Sequence, residues 1–301
     1  MTVAVLMGGN SSEREVSLST GRAVVEAVDT LGMEVIPCPY EGALEAVIPI
    51  LKSTEVVFIA LHGGEGEDGG VQQVLEENGI RYTGSGAKAS ALAMDKNRTK
   101  LLLRENGLTT ASWLMIEGGS FGEVKTSEER FSYPVVVKPN ADGSTMGVSI
   151  VHSASEIDAA VEIAQEFGGD VMIEEYIPGR EITVGILGGD ALPVIEIKPS
   201  HEFYDYKCKY TAGMSDYICP ADLPSSLVEL IVNASKKIAD LIGCRHYCRV
   251  DFRLNPENEY YCLEVNTLPG LTGTSLVPKA AKQAGVSFEK VIKTIIDLAL
   301  Q

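Results

Sequence analysis

Positive charge is scarce in this chain: 25 Lys and Arg stand against 42 Asp and Glu in 301 residues, a formal net charge of −17. Nucleic acid and anionic membrane both call for basic patches, so neither is expected as a partner. Long apolar runs are missing as well. No stretch approaches the roughly 20 uncharged apolar residues of a membrane span, and the opening MTVAVLMGGN has neither the basic leader nor the apolar run of a secretory signal. A cytoplasmic location is therefore the expectation, and the sequons at Asn10 and Asn233 then carry no meaning. The six cysteines are scattered, which fits reduced, buried thiols better than a disulfide framework. Cys244, His246 and Cys248 form no CxxC pair and no second pair follows, so they read as structural rather than as zinc ligands. Internal repeats, low-complexity runs and a Walker phosphate loop are absent too.

What is present is an ordinary globular composition, 45% apolar, with length for about two domains on the usual prior. A short apolar strand from Val3 to Met7 runs into Gly8-Gly9-Asn10-Ser11-Ser12 and then a helical pattern, with Ser11 or Ser12 placed to cap it and Glu15 to complete a capping box. A second strand, Val56 to Leu61, leads through HGGEGEDGG into a helix from Val71 to Asn78. These units imply a small parallel sheet. Further on come a helix around Asp95 to Asn106, a strand ending at Lys138, a Gly-rich loop, and a helix carrying Ile157, Ala160, Val161, Ala164 and Phe167. Beyond Tyr176 the chain is strand-rich, with a hairpin signal at Gly188-Gly189-Asp190 and amphipathic helices at about Ser225 to Ile242 and Ser287 to Leu300. The fold class is α/β, shading into α+β, in three lobes: residues 1–92, 93–178 and 179–301.

The segment RVDFRLNPENEYYCLEVNTLPGLTGTSLVP is the richest in chemistry. Read with period two, Arg249, Asp251 and Arg253 share one strand face, Glu264 and Asn266 share one on the next, and Asn255-Pro256-Glu257-Asn258 turns between them. Hard oxygen side chains converge there, favouring Mg²⁺ or Mn²⁺ over zinc; a solvated strand pair is the plain alternative. Lys138 at a strand end, followed by GSTMG, offers a cation and backbone N–H groups to phosphate, although Gly-rich surface turns are common. Glu174-Glu175-Tyr176-Ile177 can present backbone groups to an adenine edge or simply end a strand. His62 lies at the mouth of a parallel strand, where α/β proteins tend to bind ligands, but a hydrogen-bonded loop histidine reads the same. Glu13 is a helix-start carboxylate, a dipole partner or a holder of an ammonium group. The aromatic and basic run from Phe203 to Tyr210 has no helix or strand period and reads as a lid or a plain loop.

In order, GGNSSEREVS, ALHGGEGEDG, YTGSG with ALAMDK, VVKP with GSTMGVS, EEYIPGREITV, FYDYKCKY, RVDF and LEVNTLPGLTGTSLVP resemble the D-alanine–D-alanine ligases of the ATP-grasp superfamily over nearly the whole chain. The resemblance implies a three-lobed fold holding ATP between the central and C-terminal lobes, and a homodimer. It implies phosphorylation of one D-alanine by ATP, attack of a second D-alanine on the acyl phosphate, and a dipeptide for the cell wall. By the same likeness Lys96, Lys138, Ser144 and Thr145 meet the phosphates, Glu174, Glu175, Ile177 and Glu181 line the adenine and ribose pocket, and Asp251, Glu264 and Asn266 hold two Mg²⁺ ions. Glu13 takes the first ammonium. Arg249 and the Gly270 N–H face the developing oxyanion, Lys209, Ser275 and Leu276 take the second carboxylate with His62 nearby, and Tyr210 ties the lid to Glu13 and Ser144. Glu175 stands where many relatives carry lysine, and GSTMG replaces the frequent GSSVG while keeping both hydroxyls. The Lys209-Tyr210 pair looks like the dipeptide-forming type; D-alanyl-D-lactate and D-alanyl-D-serine ligases, or a nucleotide-binding protein without turnover, are the rival readings.

Overall fold

The computed structural model describes residues 1–116, 132–199 and 214–301. Its first sheet is parallel, in the order β2-β1-β3, built from β1 (Thr2–Gly8), β2 (Glu34–Tyr40) and β3 (Val56–Ile59). A parallel sheet is covered on both faces, so its central strands are apolar throughout rather than alternating; Val3 to Leu6 and Val56 to Ile59 are all buried. Helix α1 (Arg14–Thr30) buries Ser17, Thr20, Gly21, Val24, Ala27 and Val28, one face at helical spacing. Neither Ser11 nor Ser12 caps it, and no capping box forms: Glu13 holds the N-cap position without a side-chain cap bond. The Ser11 hydroxyl is used elsewhere, donating to the His62 carbonyl at 2.5 Å and accepting from the Glu13 N–H at 3.2 Å. That contact ties the two strand-to-helix turns together. The rest of the region carries α2 (Ile48–Leu51), α3 (Gly70–Glu77), α4 (Ala87–Met94) and α5 (Lys96–Glu105), the last capped by Asp95, whose carboxylate accepts from the Arg98 N–H at 3.0 Å.

The second sheet is antiparallel, in the order β4-β7-β5-β6, from β4 (Trp113–Ile116), β5 (Val135–Pro139), β6 (Ser149–Val151) and β7 (Val171–Glu175). Helix α6 (Ile157–Gln165) covers it with Ile157, Ala160, Val161 and Ala164. The third sheet follows the path β11-β10-β8-β12-β13, with strands β8 (Arg180–Leu187), β9 (Asp190–Ala191), β10 (Ile195–Pro199), β11 (Ser215–Ile218), β12 (Tyr247–Leu254) and β13 (Tyr260–Asn266). Gly188 and Gly189 do turn the chain back on β8, but the returning strand β9 is short, and β10 pairs with β8 only from Ile195 opposite Thr183.

Three further helices close the chain: α7 (Ser225–Ile242), α8 (Leu276–Gln283) and α9 (Phe288–Ala299). Helix α9 returns to the first sheet, where Val291, Ile292, Ile295 and Ile296 join the same buried cluster as Val3 to Leu6. Each such fully buried side chain contributes about 1.5–3 kcal/mol, so the first and third sheets are bound by a shared core. The segment from β13 to α8 lies against the loop that follows β3, where Gly270 approaches the His62 ring. Among the described residues no helix is long and apolar enough to cross a membrane.

Candidate active site

The hairpin of β12 and β13 places Arg249 opposite Asn266 and Asp251 opposite Glu264, with a bulge after Asp251. Its turn is closed by Asn255, whose carboxamide oxygen accepts the Glu259 N–H at 2.7 Å. Arg249 grips Asp251 with two prongs, Nε to Oδ1 at 2.8 Å and Nη2 to Oδ2 at 2.7 Å, a geometry that only a guanidinium provides. From the neighbouring strand β8, Thr183 donates to the same Oδ1 at 2.6 Å. Asp251 is buried, whereas the Glu264 side chain is a third exposed and lies 3.8 Å from the Lys96 ammonium. Lys96 also donates to the Asp142 carbonyl at 2.6 Å, joining helix α5 to the Gly-rich loop.

Two cavities meet at this point. The larger, about 450 Å³, takes in Glu13, His62, Ser144, Asn266, Gly270, Ser275 and Leu276. The smaller, about 160 Å³, is walled by Lys138, Thr145, Glu174, Glu175, Ile177, Glu181 and Asp251. Lys96, Asp142, Gly143, Arg249 and Glu264 border both. Every site residue named from the sequence borders one or both cavities except Lys209 and Tyr210, which lie, with the whole 203–210 segment, outside the described residues.

In the larger cavity Glu13, His62 and Glu67 bring one ligand atom each to within 4.8 Å of one another. His62 Nε2 lies 2.9 Å from the Thr20 hydroxyl, and Nδ1 lies 3.8 Å from Glu67. Burial, aided by Arg249, pushes the imidazole down to about 4, so the ring is neutral at pH 7. Burial and the charge of Glu13 push the Glu67 carboxyl up to about 7, although the Gly63 N–H bonds it at 3.1 Å. Gly270 lets the chain pass close to both neighbours: a Cβ there would come within 3.1 Å of the Ser275 hydroxyl and 3.4 Å of the His62 ring.

In the smaller cavity Lys138 donates to Glu174 at 2.6 Å, and Lys100 makes a second ion pair with the same carboxylate. Burial pushes Glu174 up, yet Lys100 and Lys138 together hold it below its ordinary value. Its side chain is thus spent on two lysines, leaving little to offer a nucleotide directly. Lys100, fully buried and bonded to the Thr110 hydroxyl at 2.5 Å, escaped the sequence reading. The signal for it was its position four residues after Lys96, on the same helix face. On the loop, Ser144 (φ 52°) and Thr145 (φ 63°) both sit in the left-handed region. For a β-branched threonine this is a genuine outlier, costing on the order of 1–3 kcal/mol, and such strain clusters at ligand clamps.

Two sheets enclosing a lysine-lined cleft, with a strained Gly-rich loop and a carboxylate hairpin on its border, define an ATP-grasp enzyme. The family model described as "D-ala D-ala ligase C-terminus" matches residues 102–297, and "D-ala D-ala ligase N-terminus" matches residues 43–85. The D-alanine–D-alanine ligase of Geobacter sulfurreducens is 45% identical over 295 residues, 98% of this chain and 92% of that protein. Among solved structures, the D-alanine–D-alanine ligase of Bacillus anthracis complexed with ATP is 36% identical with a TM-score of 0.87, covering 100% of this chain and 97% of that one. The VanG D-Ala:D-Ser ligase of Enterococcus faecalis is 31% identical with a TM-score of 0.86, covering 99% of each chain. This chain belongs to the D-alanine–D-alanine ligase family.

Proposed function

We propose that the two cavities carry out the ATP-dependent joining of two D-alanine molecules, with nucleotide in the smaller and amino acids in the larger. The observation that carries this reading is their common wall, which sets Lys96, Arg249 and Glu264 where a phosphoryl group would pass from one cavity to the other. Lys96, Lys138 and the Ser144-Thr145 loop bind and cover the phosphates. Glu175, Ile177 and Glu181 line the base and ribose, while Glu174 acts through the lysine it holds. Glu13, with Glu67 beside it, offers negative charge to the ammonium of the first D-alanine. Arg249 and the Gly270 N–H lie where charge develops on the attacked carbonyl, which is where preorganised donors lower a barrier most.

Ser275, Leu276 and neutral His62 border the second amino acid's side of the cavity, and Lys209 and Tyr210 belong to the same reading as lid residues. Closing the site matters because an acyl phosphate in contact with water hydrolyses. The donor set of Asp251, Glu264 and Asn266, all hard oxygens on facing strands, fits Mg²⁺ or Mn²⁺. Two such ions held there would neutralise phosphate charge as the γ-phosphoryl group moves. The division into lobes of 1–92, 93–178 and 179–301, the homodimer and the cytoplasmic location complete the reading.

The test is ADP release from ATP, Mg²⁺ and D-alanine, with the dipeptide identified by mass, and with D-serine and D-lactate offered in competition. D-alanyl-D-alanine as the dominant product supports the assignment. ATP bound but never turned over, or a D-serine or D-lactate product in excess, would replace it.

A further inference from the structure

We infer that Arg253 is a positioning residue for nucleotide recognition: it pins the linker between the second and third sheets and so sets the enzyme's preference for adenine over guanine. This rests on the assignment of the smaller cavity to the nucleotide. Residues Tyr176 to Gly179 join β7 to β8, and Tyr176 and Ile177 form part of that cavity's wall. The linker belongs to no strand, so no ladder fixes its backbone. Arg253, on β12, does so instead, donating Nε to the Ile177 carbonyl and Nη2 to the Gly179 carbonyl, both at 3.0 Å.

Those carbonyls flank Pro178, which has no N–H of its own to anchor the segment. The same guanidinium lies 3.7 Å from Glu181 and 5.9 Å from the centre of the Tyr176 ring. Gly179 has φ 127°, and a Cβ there would fall 2.1 Å from the Leu254 carbonyl oxygen, so the linker rests directly on the end of β12. One planar fork thus spans two backbone carbonyls and a carboxylate, a task a lysine cannot perform.

The consequence follows from how bases are told apart. Any base stacks in an apolar slot, but only the hydrogen-bonding edge separates adenine from guanine, and a site discriminates strongly when its own polar groups would otherwise be left unpaired. Backbone groups on an unladdered linker serve that purpose only when held within about 0.5 Å of the productive geometry. Arg253 supplies that restraint without touching the reacting atoms.

The experiment compares wild type, Arg253→Met and Arg253→Lys by calorimetric titration with ADP and by kcat/KM for ATP and for GTP. Arg253→Met should weaken ADP binding and raise the KM for ATP roughly tenfold, the worth of about one charge-assisted hydrogen bond. Its kcat at saturating ATP and its KM for D-alanine should stay within about twofold, and its ATP-over-GTP ratio should fall. Arg253→Lys should lie between the two, and it carries the comparison alone if the Met variant does not fold. An unchanged ADP affinity and ATP-over-GTP ratio overturns the inference, as does a loss of kcat with KM for ATP unmoved. The ADP titration needs no turnover, so failure of the ligase assignment and failure of the Arg253 role are read separately.

Discussion

Glu67 lies 3.8 Å from the His62 ring, and the two titrate in the reverse of their usual order, the carboxyl at about 7 and the imidazole at about 4. Burial drives both shifts, seconded by Glu13 on the carboxyl and by Arg249 on the ring. Between about pH 4 and pH 7 the folded protein therefore favours a neutral pair in the wall of the larger cavity.

The two shifts act on stability in opposite directions. Glu67 is raised in the fold, so its contribution is fully present below its unfolded value of 4.5 and is lost as pH rises through about 7. His62 is depressed, so its contribution is present above 6.5 and is lost as pH falls through about 4. Glu67→Gln removes only the first. The stability of the variant minus that of wild type should then increase by about 3 kcal/mol between pH 4.5 and 8, because each tenfold change in a protonation equilibrium is worth about 1.36 kcal/mol. Urea unfolding across that range measures it, and a flat difference would place the titration of Glu67 elsewhere.

Glu174 is the shared counterion of Lys100 and Lys138. Removing its charge leaves two ammonium groups, one of them fully buried, with no carboxylate between them. Glu174→Gln should cost about 3–5 kcal/mol of stability, the range for breaking a buried pair. Lys100→Met should cost less, since Lys138 still compensates the carboxylate. Adding Lys100→Met to Glu174→Gln should restore part of the loss, and a double-mutant cycle by denaturant unfolding reads the coupling directly. Additive losses would mean that the three groups do not act as one network.

Local pattern made some of this legible. The period-two reading of β12 and β13, with the Asn255-Pro256-Glu257-Asn258 turn, brings Arg249, Asp251, Glu264 and Asn266 together, and the structure pairs them across one ladder. Helix α7 follows its apolar spacing from Ser225 to Ile242, and Ser287 caps α9. Contacts between distant segments were not legible. Ser11 or Ser12 was expected to cap α1, yet neither does, and the Ser11 hydroxyl serves a carbonyl 51 residues away. Thr183 reaches Asp251 only through the β8–β12 register, 68 residues apart in sequence. The sequence sets Glu67 beside His62 at the mouth of a parallel strand, but its raised carboxyl depends on burial and on Glu13, neither of which a linear pattern records.

Arg249 holds Asp251 with two hydrogen bonds and borders both cavities. On the proposed assignment, replacing it with alanine removes a donor that faces the reacting centre while leaving in place the lysines and the linker assigned to the nucleotide. Losing such a donor typically costs about 10²–10³ in kcat. Arg249→Ala should therefore turn over slowly while binding ADP within about threefold of wild type. Single-turnover rates and ADP titration, run side by side, decide it; a normal rate would remove Arg249 from the chemistry.

Thr183 meets the site at Asp251 Oδ1, to which it donates at 2.6 Å. If Asp251 is a metal ligand, that hydroxyl orients the carboxylate, and outer partners of this kind are worth about 10–100-fold in metal affinity. Thr183→Val keeps the shape of the side chain and removes the donor. Asp251→Asn removes a negative charge from the site itself. Both should raise the Mg²⁺ concentration needed for half-maximal ADP release, Asp251→Asn more than Thr183→Val, with little change in the KM for D-alanine. Titration of each variant with Mg²⁺ and with Mn²⁺ is the measurement. Curves superimposable on wild type for both variants would show that Asp251 serves Arg249 alone, and the metal would have to be sought on other oxygens of the hairpin.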